Sequence, residues 1–413
     1  MESIDYIALS IPVFFLLIGI ELIISTVRKK KLYRFHDAIT SISCGIGSEI
    51  MGVFVKSFFF LGYLYLYNNV RIFTMPNTGW SLALLFIGID CAYYWWHRLS
   101  HQINFLWAVH IVHHQSEEYN LSTALRQAWF EHGTSWVFYL PLALIGFDPV
   151  MFLMFKSFDT LYQFWIHTKT VGKLGFYEWF MNTPSHHRVH HGKNPKYLDK
   201  NYAATFIIWD RMFGTFQVEE EEPVYGTTKT LKSFNPLWTN FHYWIDLFKT
   251  ASQSSRFIDK IKIFIKPPGW FPSELGGFQA APEVDRSIYQ KYDTKTPKAV
   301  NLYIFFQFVT ALLVASAFLF LASSFSPIQQ IGVPAFVLFS ILNFGAMFER
   351  KGWVILSEYI RFIFFMVVAL LFYNSPHFTT ILYGTFIFIA ISIFWFTKQL
   401  GSFTIIKKMP QRH

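Results

Sequence analysis

An all-α, polytopic integral membrane protein with a histidine-rich di-metal helical domain on its cytoplasmic side is the fold class this sequence predicts. Three observations carry that reading. Hydrophobic residues make up 53% of the 413 residues and charged residues only 15%, against about 25% charged in soluble domains. The apolar residues gather in runs long enough to cross a bilayer. Eleven of the fifteen histidines fall between His97 and His191, in blocks with helical spacing.

The elements follow in order. Residues 8–26 form a first span, long and with no small-residue cleavage site after it, so it reads as an uncleaved helix. The basic cluster VRKKKLYR at 27–34 marks the cytoplasmic side. A second span covers 43–67, softened by Gly45, Gly47 and Gly52. Pro76 to Gly79 turns the chain, and 79–96 returns through the membrane into His97. Residues 134–166 are apolar and broken near Gly146-Phe147-Asp148-Pro149. At about 20 residues per crossing this hairpin is short for two passes and reads as re-entrant. Residues 169–298 are more polar and hold the acidic run Glu219–Glu222. Trp238, Phe241, Trp244, Ile245 and Phe248 recur there at helical spacing, which suits an interfacial helix or a core helix alike. Four more spans follow at 299–323, 331–348, 353–373 and 377–397. Arg350-Lys351 and the tail after Lys398 fall on the cytoplasmic side if those four spans are real. The expected organisation is therefore a catalytic domain at 1–298, its histidine core at about 79–216, and a four-span module at 299–413 for packing, lipid shelter or oligomer contact.

The net charge of +9 suits cytoplasmic loops and anionic headgroups rather than nucleic acid. Cys44 and Cys91 lie in apolar runs, so neither a disulfide framework nor a cysteine metal site is expected.

Positions i, i+3 and i+4 share a helix face. His97 and His101 therefore point one way, as do His110, His113 and His114, and His187, His190 and His191. With His167 these are nine candidate ligands, more than one ion needs and suited to two. His186 is a candidate ligand or a partner to a ligand ring. Asp90, seven residues before His97, and Asp159, eight before His167, are candidates to orient the rings. Arg188 should face away and pair with an acid. His132 reads as pocket lining or structure, and the isolated His36, His242, His377 and His413 as no part of the site.

Imidazole suits iron, zinc, copper and nickel alike. A hydrolytic zinc site keeps three ligands with a carboxylate nearby, whereas many imidazoles and few acids converge here. All-neutral ligands would leave an iron pair strongly cationic, suited to dioxygen activation and attack on an unactivated C–H bond. Haem would need histidines within spans and far apart, unlike His113-His114 and His190-His191. A metal transporter would place ligands along a pathway inside its spans, not past their ends. No side chain is needed as a general base.

The three blocks resemble the fatty acid hydroxylase and sterol desaturase superfamily of membrane di-iron enzymes. Longer strings are similar to its alkylglycerol monooxygenase branch: YYWWHR at 93–98, HHQSEEYNLSTALRQ at 113–127, QFWIHT at 163–168, NTPSHHRVHHGKNP at 182–195, DKNYAATFIIWDRMFGTF at 199–216 and PPGW at 267–270. The resemblance covers residues 35–275 strongly and the trailing spans in layout. It implies two iron ions on the nine histidines just named, O2 and tetrahydrobiopterin as co-reactants, and hydroxylation of the ether-adjacent carbon of a glyceryl ether lipid drawn from the bilayer. The products would be a fatty aldehyde and glycerol. The alternative is a fatty acid or sterol hydroxylase or desaturase fed by an electron-transfer partner. The membrane would be the endoplasmic reticulum in a eukaryote and the inner membrane in a bacterium. One departure stands at Gln102, where animal members carry an acid directly after the second histidine. No pterin pocket can be singled out among so many aromatic residues.

Overall fold

The computed structural model describes residues 6–284 and 288–404; His413 lies outside them. Among the described residues every regular element is helical, with only two isolated bridges, Met181 to Phe206 and Gly192 to Tyr225. The helices are α1 (Tyr6–Val27), α2 (Phe35–Asn69), α3 (Gly79–Gln102), α4 (Asn104–His114), the short α5 (Leu121–Ala124), α6 (Glu131–Ser135) and α7 (Leu140–Ile145), α8 (Pro149–Trp165), α9 (Pro184–His190), α10 (Ile208–Met212), α11 (Pro236–Gln253), α12 (Phe257–Ile265), α13 (Lys298–Leu321), α14 (Pro327–Phe348), α15 (Val354–Leu370) and α16 (Phe378–Thr397). These residues fall into two compact units, one within Met1–Leu231 and Asn240–Lys291, the other within Lys232–Thr239 and Tyr292–His413.

Among the described residues five helices are long and apolar enough to cross a membrane: Leu9–Val27, Phe35–Asn69, Lys298–Ser324, Pro327–Phe348 and Phe378–Thr397. The chain is an integral membrane protein. Two expected spans do not reach that measure. α3 continues past the apolar stretch to Gln102 and carries His97, Arg98 and His101 on its last turns. α15 has only 17 residues and holds Glu358 and Arg361.

α2 begins eight residues before the span expected at 43–67. Its first half is polar but buried, with His36, Asp37, Thr40, Ser41, Ser43 and Ser48 turned inward. Ser116 Oγ donates to Asp37 at 2.6 Å, and Ser48 Oγ donates to the Ala128 carbonyl at 3.0 Å. A loop thus supplies the partners that let a polar helix face be buried.

The expected break at 146–149 is a helix stop followed by a helix start. Gly146 takes φ 99° after α7, a left-handed conformation that glycine reaches without cost. The Phe147 amide returns to the Leu142 carbonyl at 3.1 Å and the Gly146 amide to Ala143 at 3.1 Å. Asp148 then caps α8, accepting from the Val150 and Met151 amides at 2.8 and 3.0 Å, with Pro149 in the first turn. Tyr63, Leu85, Ile89, Tyr139, Leu142, Phe147 and Phe152 form the core that locks α2, α3, α7 and α8 together.

In the second unit α13 to α16 pack in sequence order around buried polar groups. Arg361 Nε and Nη2 donate to Glu358 at 2.8 and 2.6 Å, and Nη2 also reaches Gln307 Oε1 at 2.5 Å. Asn343 donates to Glu358 at 2.6 Å, the Tyr303 hydroxyl also donates to Glu358, and Gln307 donates to Ser392 at 2.8 Å. All four helices therefore contribute to one network. Removing one partner of a buried ion pair costs about 3–5 kcal/mol, because the other charge is left alone. Arg361→Leu should lower the thermal unfolding temperature in detergent sharply. Adding Glu358→Leu should restore part of the loss. A double variant less stable than Arg361→Leu alone would contradict this account.

Candidate metal centre

Nine buried histidines converge in two groups. His97, His101, His110, His114 and His190 form one, and His113, His167, His187 and His191 the other, with the candidate ligand atoms of each group within 4.8 Å of one another. The helix-face reading anticipates the nine residues but not their partition. α4 sends His110 and His114 to the first group and His113 to the second. α9 sends His190 to the first, while His187 and its C-terminal neighbour His191 join the second. α3 serves the first group alone, and His167, just past α8, the second. The groups abut: the rings of His114 and His191 stack with centroids 4.5 Å apart.

The orientation of the rings is set from behind. His97 Nδ1 donates to the Tyr202 carbonyl at 2.6 Å, and His190 Nδ1 to the Lys200 carbonyl at 2.9 Å. His113 Nδ1 donates to the Arg126 carbonyl at 3.0 Å, and His167 Nδ1 to the Gln163 carbonyl at 2.7 Å. A carbonyl only accepts, so in each neutral ring the proton sits on Nδ1 and Nε2 carries the lone pair. His113 and His167 then face each other, Nε2 to Nε2, at 3.2 Å. Two lone pairs held that close repel unless a cation lies between them. A proton does not serve near neutral pH: burial pushes the His113 imidazolium down to about 4, and burial with the neighbouring His113 charge pushes His167 well below the ordinary range.

The other inward contacts have the same spacing. Nε2 atoms lie 2.9 Å apart for His97 and His110, 3.1 Å for His110 and His114, 3.2 Å for His114 and His190, 3.0 Å for His167 and His187, and 3.2 Å for His187 and His191. With metal–nitrogen bonds of about 2.0–2.1 Å, ligands at right angles stand about 3 Å apart. The donor set therefore fits two transition-metal ions. His187, His190 and His191 are all driven well below the ordinary imidazole range, burial first. The rings stay neutral, the form that binds metal.

The segment 199–217 is the brace. Asp199 and Asn201 take φ 59° and 55°, left-handed values that Asp and Asn tolerate better than most residues. This aims the intervening Lys200 carbonyl and the following Tyr202 carbonyl at the site. Asp210 holds the turn, accepting from the Tyr202 and Ala203 amides at 2.8 and 2.9 Å and from Thr215 Oγ1 at 2.6 Å. Asp90 and Asp159 lie outside both groups. Asp90 accepts from the Thr205 and Phe206 amides at 2.7 and 3.1 Å and from Trp209 Nε1 at 2.7 Å, while Asp159 accepts from Thr205 Oγ1 at 3.0 Å. Both acids thus anchor the brace rather than a ring. His186 lies outside the groups too, packed edge-on against Phe216. Arg188 turns away into a bidentate pair with Glu219 at 2.8 and 2.7 Å. His132, on α6, and His242, on α11, belong to neither group.

Sequence reasoning missed Asp210, Asn182 and the four carbonyls. Asn182 Nδ2 donates to the Ala203 and Ala204 carbonyls at 2.6 and 3.1 Å. The only available signal was the Asp199-Lys200-Asn201 triplet, which favours a left-handed turn.

This geometry defines a class: a membrane protein whose helical core presents two adjoining histidine clusters for metal. The fatty acid hydroxylase family model matches residues 82–215, the stretch that contains every candidate ligand. Alkylglycerol monooxygenase of Homo sapiens is 36% identical over 368 residues, covering 88% of this chain and 82% of that protein. The Xenopus tropicalis protein of the same name is 36% identical over 365 residues, 88% of this chain and 81% of that protein. The Danio rerio protein of that name is 36% identical over 398 residues, 95% and 89%. No solved structure matches. The chain belongs to the alkylglycerol monooxygenase family, within the fatty acid hydroxylase group of membrane enzymes.

Asp210→Ala should free the brace and let His97 turn. Loss of such a supporting partner typically costs 10–100-fold in metal affinity, readable as metal retained after equilibrium dialysis. Retention equal to wild type would show that the Tyr202 carbonyl holds its place without Asp210.

Proposed function

We propose that this chain is a di-iron monooxygenase that hydroxylates the ether-adjacent carbon of glyceryl ether lipids, using O2 and tetrahydrobiopterin. The observation that carries the reading is the pair of buried histidine clusters in a chain 36% identical to alkylglycerol monooxygenase over most of both lengths. The nine ligands would be His97, His101, His110, His114 and His190 for one ion, and His113, His167, His187 and His191 for the other. When bound, such an iron pair supplies the dioxygen activation that C–H hydroxylation needs. The protein's share is positional. The Nδ1–H bonds of four rings fix their tautomer and direct Nε2 inward. All nine rings are buried, which limits water, and burial keeps His97, His110, His113, His114, His167, His187, His190 and His191 neutral. Hydroxylation beside an ether oxygen yields a hemiacetal, which collapses to a fatty aldehyde and glycerol. The second oxygen atom leaves as water, with the pterin supplying two electrons.

The reading includes a cytoplasmic site. The cluster 27–34, Arg350-Lys351 and the tail after Lys398 support it through the positive-inside rule. It also divides the chain into a catalytic part, 1–298, and a membrane module, 299–413. The membrane would be the endoplasmic reticulum or, in a bacterium, the inner membrane.

Two experiments test the assignment. His110→Ala and His190→Ala should each abolish glyceryl-ether turnover and lower bound iron, while the protein still inserts in membranes. His242→Ala should keep near wild-type turnover. Most of the activity surviving in both first variants would remove the ligand roles. In a series of glyceryl ethers, each methylene removed should weaken apparent affinity by up to about 0.8 kcal/mol, while oxidation stays at the head-proximal carbon. Oxidation that moves with distance from the methyl end would mean the enzyme measures from the tail, and the glyceryl-ether assignment would fail.

A further inference from the structure

α12 has two faces. Ile263 is 1% exposed and packs with Ala108, Leu247 and Ala251. The opposite face is exposed among the described residues. Phe257 is 76% exposed, Ile258 48%, Ile261 43% and Ile265 56%, and the neighbouring Phe248 of α11 is 62% exposed. At about 100° per residue the four α12 residues occupy one arc of roughly 100°. Lys262 lies just beyond one edge of that arc and Lys260 beyond the other. Arg256 and Lys266 bracket the helix, and Lys249 stands one residue after Phe248. Asp259 points to the buried side, where Lys262 and Arg256 approach it at 3.2 and 3.6 Å.

An apolar stripe rimmed by basic residues fits a bilayer surface, with apolar groups at the acyl boundary and ammonium groups at the phosphates. We infer that α12, with Phe248, is an in-plane anchor that docks on the anionic headgroups of the membrane the chain already spans. The rim is what selects a lipid surface over a second copy of the chain, since two such basic rims would repel.

The anchor bears directly on the metal centre. Asn104, the first residue of α4, donates through Nδ2 to the Ile263 carbonyl at 2.8 Å, and its amide donates to the Lys266 carbonyl at 3.0 Å. Tyr243 of α11 donates to Asn104 Oδ1 at 2.6 Å. α4 carries His110, His113 and His114. Packed helix axes lie about 8–10 Å apart, so docking of α12 fixes those rings within about one helix diameter of the headgroup plane. The inference needs only a membrane protein with this helix and holds or fails separately from the glyceryl-ether assignment.

The test uses the full chain in lipid nanodiscs, with Cys44→Ala and Cys91→Ala as background and spin labels at Ile261→Cys, Ile265→Cys or Glu283→Cys. In phosphatidylglycerol-containing discs the labels at 261 and 265 should collide more with oxygen than with an aqueous nickel chelate. That corresponds to burial of about 5–10 Å, and the label at 283 should show the reverse. Each basic residue near an anionic leaflet is worth about fivefold in partitioning. Lys249→Glu with Lys260→Glu and Lys266→Glu should therefore cut the ratio of immersed to exposed label at 261 by about a hundredfold. Lys249 and Lys266 are exposed, Lys260 is half-buried, and Lys262 keeps its pairing with the buried Asp259, so the fold should tolerate the change. Nickel access at 261 equal to that at 283 would overturn the anchor. Immersion indifferent to the three glutamates and to anionic lipid would overturn headgroup recognition. Dipolar broadening between labels at 261 would show a second copy on this face instead.

Discussion

The structure depends on one repeated interaction: an imidazole Nδ1–H given to a backbone carbonyl, so that the Nε2 lone pair faces inward. Four rings are held in this way. Without the carbonyls each ring could turn or change tautomer, and the cluster would relax into ordinary hydrogen bonds. With them, His113 and His167 must confront each other lone pair to lone pair. The rest of the fold holds them there, through the brace at 199–217, the loop carrying Arg126 and the end of α8. A metal ion between the two rings would remove the repulsion, so ion affinity and fold stability would be coupled.

What the sequence made legible was the set of histidines that gather, because helical spacing is a local property. Three blocks and one single histidine gave nine residues, and all nine are in the clusters. The partition was not legible. Neighbours His113 and His114 differ by about 100° around α4, enough for each to serve a different group when both groups flank the same helix. Only the placement of α3, α8 and α9 around α4 decides which ring goes where. The carbonyl acceptors were also invisible, because every residue type has one. Asp90 and Asp159 were found by spacing from His97 and His167, yet their carboxylates meet the Thr205–Trp209 stretch instead. The same spacing rule that places two side chains on one face says nothing about what lies opposite each of them.

The membrane helices show the same division. Gly146, Asp148 and Pro149 announce their turn because each has a conformational role that other residues fill poorly. The start of α2 was missed because hydropathy looks for apolar faces, and the stretch from His36 to Ser48 is buried by tertiary partners instead. α15 reads as apolar by composition, but Glu358 and Arg361 are compatible with the interior only because Gln307, Asn343 and Tyr303 meet them. Charges in such a helix record a partner that lies elsewhere in the chain.

α2 also bears on where the chemistry must occur. Its 35 residues extend about 52 Å at 1.5 Å per residue, well beyond a hydrocarbon core of about 30 Å. About two-fifths of the helix, if it crosses upright, must therefore stand outside the apolar layer. The exposed apolar side chains begin at Phe54 and continue through Phe58, Leu61 and Tyr65, whereas the polar residues of the first part are buried by the loop that follows the second histidine block. That polar part is the end that emerges, and it emerges beside the histidines. α3 runs the same course, apolar from Trp80 through Ile87 and then polar at His97 and His101. Both helices thus turn from apolar to polar where the histidines begin, which fits clusters at the edge of a membrane rather than within it. A substrate carbon oxidised there has to lie just under a polar headgroup. The ether carbon of a glyceryl ether meets that condition without bending the chain, whereas the middle of an acyl tail does not.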